Sequence, residues 1–230
     1  LCSSIISDTA NMVKSTVEYR VISVGTIHKS YHMRKAIQRN KYHRRCVLKI
    51  KYVATCLTDA QTYECEKLGI EVMRDYVYSY GQISHGCVTD FSVHCFNSHA
   101  LEALKNMGVG RATLHPELNL AQIRDIKKCI DTEAILYGKI PLMKMKIAPK
   151  STSITDRKGV EFLIHGDDIY NCIPIYMADK MGDVEKSGIT HGRLIFTTES
   201  PEEVRTIIKS YMYRKMIKVD FTRGKFYSKV

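Results

Sequence analysis

In the run RATLHPEL, His115 and Glu117 stand two residues apart, the spacing that puts both side chains on one face of a β-strand. An imidazole and a carboxylate so placed could serve as a general acid and base pair. The structural alternative is that Glu117 begins the next helix while His115 sits on a rim. Lys139, in YGKIPLM, offers an ammonium group to the same chemistry. His94, Asn97, Tyr137, Thr198 and Glu199 follow or end other strand-like runs. If those strands are parallel, all of these residues collect at their carboxyl ends, where an α/β scaffold places its chemistry. His28 and His32 are four apart, a metal-binding spacing on a helix, but no carboxylate lies near them to complete a site. They read as solvated or polyanion-facing histidines. Asp156 and Arg157 in TDRKG would be either a substrate clamp or a structural ion pair.

Charge points to a second kind of chemistry. The 230 residues carry a net charge of +11, unevenly distributed. Between Tyr19 and Thr58 there are ten Lys and Arg and no acid, and Arg205 to Val230 holds eight against the single Asp220. What remains is mildly acidic. Such segregation suggests a polyanionic partner, RNA or a ribonucleoprotein, or else an acidic protein surface. The residues that would touch it are Arg34, Lys35, Arg39, Lys41, Arg44 and Arg45 in the first segment and Arg214, Lys215, Arg223 and Lys225 in the last. Tyr31, Tyr42, Tyr211 and Tyr213 interleave with them, as stacking on nucleobases would require. Two unrelated solvated faces are the alternative.

The elements that must position these groups alternate regularly. Apolar runs at LCSSIIS, RVISVG, CVLKIKYVATCL, IEVMRDYV, TDFSVHCF, RATLHPEL, EAILYGKIPLM and RLIFTTE read as eight strands. Between them lie segments of helical period. Thr58 with Gln61, Asn119 with Gln122, and Ser200 with Glu203 have the spacing of capping boxes. KLGIEV, NMGVGR and KSGITH each place a glycine where a helix would turn back into a strand. A further helix is expected over about 174–187, after a long polar connector. Eight such repeats close most naturally into a (β/α)8 TIM-like barrel, here a single domain over 1–230. No glycine-rich phosphate fingerprint supports an open, doubly wound sheet.

Eight cysteines are scattered without a C-x-x-C pair, the usage of free thiols in a reducing compartment, so an intracellular location is expected, in the cytoplasm or an organelle lumen. Every apolar run is broken by a charge well short of the roughly 20 residues that span a bilayer. No membrane association is expected.

Seven stretches in order resemble the peptidase U32 family, also called collagenase-like proteases. They are DFSVHCFNS from Asp90, ATLHPELNLAQI from Ala112, YGKIPLM from Tyr137, TDRKGVEF from Thr155, IYNCIPIYMADK from Ile169, GRLIFTTESPEEV from Gly192 and FTRGKFY from Phe221 to Tyr227. The resemblance covers 90–227 and implies a TIM-like barrel. It also implies peptidase activity or a part in hydroxylating RNA or quinone precursors, and in several members an iron-sulfur cluster on four cysteines. This chain departs from that pattern. Ala148-Pro149 stands where such members have Cys-Pro, His165 and Gly166 stand near another ligand position, and Lys225 replaces a histidine. Between Cys129 and Cys172 there is no thiol. The expectation is therefore a barrel with no cofactor and no metal, acting as a binding or structural module in an RNA or ribonucleoprotein context. The rival is an active U32-type peptidase or hydroxylation-associated enzyme using His115, Glu117 and Lys139.

Overall fold

Side chains from strands far apart in one sheet meet inside it, and this contact defines the architecture. In the computed structural model, which describes residues 50–147 and 151–229, the main sheet runs β2-β1-β12-β6-β5-β4-β3. The strands are β1 (Lys51–Cys56), β2 (Glu71–Val72), β3 (Tyr76–Val77), β4 (Val88–Thr89), β5 (Arg111–Thr113), β6 (Asp131–Gly138) and β12 (His191–Phe196), and every pairing along that path is parallel. Strands lie about 4.8 Å apart, so in a flat sheet β12 and β3 would be separated by roughly 19 Å. Yet the guanidinium of Arg193 on β12 lies 3.8 Å from the ring centroid of Tyr76 on β3. The sheet is strongly curled. Its two ends, β2 and β3, are successive pieces of the stretch 71–77.

The period of two along each strand separates two environments. One face carries Ala54, Ala112, Ala134, Leu136, Leu194 and Phe196, all buried in the main apolar core. Helices cover that face: α1 (Asp59–Lys67), α2 (Ser98–Asn106), α3 (Leu120–Asp125), α4 (Met181–Lys186) and α5 (Pro201–Tyr213). They contribute Leu101 and Leu104, Ile123, Met181 and Val184, and Val204, Ile207, Ile208 and Tyr211. The three capping boxes are present as expected, each with its reciprocal side-chain bond. Gly69, Gly108 and Gly188 follow their helices with positive φ, the conformation that lets each helix reverse without a Cβ clash.

The inner face is polar. Arg193 donates to Asp90 at 2.5 Å and to Thr55 Oγ1 at 3.0 Å. Beneath it Glu133 accepts from Tyr76 at 2.8 Å and Thr113 at 3.0 Å, and Arg111 Nε lies 3.2 Å from its other oxygen. Two arginines and two carboxylates are thus buried together, each charge with an opposite partner, which is what makes burial of ions tolerable.

Several expectations change in detail. Of TDFSVHCF only Thr89 lies in a strand, the end of β4, because Asp90 accepts from Ser92 N and opens a 3-10 turn over Phe91–Val93. RATLHPEL is regular only over Arg111–Thr113. EAILYGKIPLM does not continue as one strand. A bulge lies beside Leu136, and Gly138 then takes a φ of +124°, where an added Cβ would run into the Ile195 carbonyl. Of the helix expected over 174–187, only Met181–Lys186 is α-helical. Ile175–Tyr176 forms β11, antiparallel to β6, and Ala178–Lys180 is a 3-10 turn.

The connector is itself folded. β7 (Pro141–Lys144), β8 (Ser153–Thr155), β9 (Glu161–His165) and β10 (Asp168–Asn171) make a second, antiparallel sheet in the order β7-β10-β9-β8. Asp156 accepts from the backbone N–H of Lys158 and of Val160, so TDRKG is a side-chain-stabilised turn between β8 and β9.

Ile50–Val230 is a compact unit by itself. The first two strands of the expected eight, the segments of helical period that follow them, His28 and His32, and Ala148-Pro149 lie outside the described residues. No helix among the described residues is long and apolar enough to cross a membrane.

Candidate functional site

The carboxyl ends of the parallel strands carry the expected polar residues, but in two separate groups. On the β4 and β5 side, Asp90 fixes the 3-10 turn and the chain then enters the left-handed region at His94, φ 56° and ψ 52°. That conformation is uncommon for a residue with a Cβ. It presents the His94 ring nearly parallel to Phe96, 6.2 Å away, and Phe96 stacks on His115 at 4.2 Å. His115 Nδ1 accepts from the Glu117 backbone N–H at 3.4 Å and lies 3.9 Å from the Glu117 carboxylate. Burial lowers the His115 pKa, with Glu117 opposing the shift. A neutral imidazole with Nδ1 occupied from the backbone carries its proton on Nε2.

On the β6 and β12 side, Tyr137 donates to Glu199 at 3.0 Å, and the other Glu199 oxygen accepts from Thr197 N at 2.6 Å. Burial first, and then the Glu199 charge, push the Tyr137 pKa far above its usual value, so this phenol stays protonated. Lys139 donates to Thr198 Oγ1 at 2.6 Å. Tyr137, Lys139, Thr198 and Glu199 line a cleft of about 370 Å³ closed by Cys172, Pro174, the first turns of α5, and Ile217 and Val219. A neighbouring cavity of about 250 Å³ lies between Thr197 and Thr198 and the antiparallel sheet at Leu163, His165 and Tyr170.

His115 and Glu117 are close, but they meet in the turn beyond β5 rather than on one face of a strand as their spacing implied. Lys139 is engaged with Thr198, in a cleft that neither His115 nor Glu117 lines. The first group could bind a flat or hydrogen-bonding ligand and hold a proton at His115. The second offers a fixed carboxylate, a phenol donor and an ammonium around a partly apolar cleft.

The basic residues of the last segment divide likewise. Arg223 is structural: it makes a paired bond to Asp179 at 2.6 and 2.9 Å, donates to the Tyr176 carbonyl at 2.7 Å and covers the Phe221 ring. Arg214 is paired with Glu185. Lys209, Lys215, Lys218, Lys225 and Lys229 are exposed and unpaired among the described residues, with Tyr213 and Met216 exposed between them. Arg34, Lys35, Arg39, Lys41, Arg44 and Arg45 lie outside the described residues.

The inner Asp90–Arg193 and Glu133–Arg111 pairs were not singled out from sequence, although charged residues inside the apolar runs GRLIF, TEAIL and RAT gave the signal. Nor was the approach of Cys56 to Cys65, whose sulfurs lie 3.6 Å apart.

Among the described residues no group of three or more His, Cys, Asp or Glu is placed to hold a metal ion. Among the described residues Cys56 and Cys65 approach each other but no third thiol joins them, so the described donor set does not fit a four-thiolate cluster. Comparison with protein-family models, with curated proteins and with solved structures found no match.

Proposed function

We propose that this chain is a divergent U32-like β/α barrel without the cluster, acting as a binding module for RNA or a ribonucleoprotein. The observation that carries the reading is the charge. The unpaired lysines of the last segment are exposed beside Tyr213 and Met216, and the first 49 residues add ten Lys and Arg against two acids. Lys and Arg on phosphates supply sequence-independent affinity, and the exposed Tyr213 adds a stacking surface, whereas Tyr211 is buried in the core. The separation of Lys139 from His115 and Glu117 favours binding over an assembled acid–base site.

The barrel belongs to the proposal. A curled parallel sheet whose ends are pieces of one stretch supports it.

The test is to replace Lys209, Lys215 and Lys218 together with glutamine and measure binding of the full chain to single-stranded RNA at several salt concentrations. Three lost phosphate contacts should lower the slope of log affinity against log salt by about 2. An unchanged slope rules these lysines out.

The contact between His115 and Glu117 favours a second reading, an active U32-type enzyme working from the β4 and β5 side. It requires turnover of a peptide or hydroxylation substrate that His115→Ala or Glu117→Ala abolishes.

A further inference from the structure

Cys56 ends β1, where that strand reaches the rim of the curled sheet, and Cys65 lies on α1, the helix that follows. They are nine residues apart in sequence, and their sulfurs approach to 3.6 Å. Cys65 is fully buried, whereas Cys56 is partly open to solvent. Their roles differ accordingly. The hydrogen bond from Cys65 holds the Cys56 thiol below its ordinary value, with further help from Thr62 and Arg74 against burial and the Glu199 charge. The same pairing and burial push the Cys65 thiol up. An accessible sulfur with thiolate character beside a protonated, shielded one is the arrangement of an attacking and a resolving cysteine.

We propose that Cys56 and Cys65 are a redox-active pair that a low-molecular-weight disulfide converts into an intrachain disulfide, Cys56 attacking and Cys65 resolving. The Cys56 thiolate attacks one sulfur of the small disulfide. A Cys56–S bond forms, the small S–S bond breaks, and one small thiolate leaves. Cys65 then gives up its proton and attacks the Cys56 sulfur, releasing the second small thiolate. Two protein thiols are oxidised and one small disulfide is reduced to two thiols, with no other reactant.

The sulfurs must close from 3.6 Å to about 2.05 Å, a movement that side-chain rotation and a small shift of α1 can supply. That shift reaches the candidate cleft. Gln61, on the same helix, donates to the carbonyls of Thr197 and Glu199 at 3.1 and 2.9 Å. The cross-link would therefore tie the end of β1 to the helix that holds the rim at Glu199. This inference is independent of the RNA-binding proposal.

The test uses the full chain incubated with oxidised glutathione, then alkylated in denaturant without reductant and mapped by mass spectrometry. The expected result is a Cys56–Cys65 cross-linked peptide and the loss of two alkylatable thiols. In Cys65→Ser, glutathione should remain as a mixed disulfide on Cys56, and in Cys56→Ser the Cys65 thiol should stay free. Native alkylation of the unsubstituted chain gives a readout that does not depend on how the variants fold. Cys56 should react about tenfold faster at pH 7 than Cys87, Cys129 and Cys172, which are exposed to a similar degree. Oxidation confined to other cysteines, a cross-link from Cys56 to Cys2 or Cys46, or alkylation of Cys56 no faster than its peers would overturn the proposal.

Discussion

Replacing Arg193 with methionine should be among the most damaging single changes inside the curled sheet. Arg193 is 4% exposed and Asp90 3% exposed, and the two meet at 2.5 Å. Methionine keeps the apolar stem but leaves the Asp90 carboxylate buried without its cation, a loss of about 3–5 kcal/mol. The bond to Thr55 Oγ1 and the contact with the Tyr76 ring go as well. A domain of this size is stable by about 5–15 kcal/mol, so the variant should still fold in dilute buffer. With a slope near 2 kcal/mol per molar urea, its midpoint should fall by about 2 M. Asp90→Asn alone should cost less, about 1–3 kcal/mol, since the amide oxygen can still accept and Tyr76 still faces the arginine. The double variant separates pairing from mere deletion. It should be more stable than the sum of the single losses predicts by over 1 kcal/mol. Strict additivity, or a loss below about 1 kcal/mol for Arg193→Met, would refute the claim that a buried ion pair organises the inner face.

Gly138→Ala should cost at least about 3 kcal/mol by thermal or urea denaturation, since φ there is +124° and the new Cβ meets the Ile195 carbonyl with no flexible atom to yield. Arg223→Ala should lose about 2–3 kcal/mol, because Asp179 is four-fifths buried and has no other ion pair among the described residues; urea midpoints read this directly. His191 should make stability fall with acid. Burial first, then Arg111, lowers its pKa to about 4. The unfolded chain, with the ordinary value near 6.5, therefore binds the proton first. The contribution is complete above about pH 6.5 and is lost as the pH falls towards 4, by up to about 3 kcal/mol. His191→Gln should flatten that part of the pH profile of the urea midpoint.

Local signals were legible wherever a short-range rule fixes the backbone. Thr58–Gln61, Asn119–Gln122 and Ser200–Glu203 cap their helices as their spacing implied, because a capping box needs only four residues. The mouth residues were legible for a similar reason, since parallel strands leave their carboxyl ends together. What the spacing could not give was which mouth residues meet. His115 and Glu117 share a strand end, whereas Lys139 is carried away by the turn at Gly138 and held by Thr198. The antiparallel sheet was missed because β7 to β10 are two-sided and half-exposed, so their hydrophobic alternation is weak. The Asp90–Arg193 pair depends on curvature, which brings the end of β4 to β12 across intervening strands, so the charges within the apolar runs did not reveal their partners. Cys56 and Cys65 escaped notice because their approach depends on how α1 folds back along β1.

The central claim is tested most directly by titrating the full chain with single-stranded RNA while ionic strength is varied from 50 to 200 mM. If about five exposed lysines neutralise phosphates, log affinity should fall with log salt at a slope near −3.5, a loss of about a hundredfold over that range. Absent binding at 50 mM, or an affinity indifferent to salt, would contradict it.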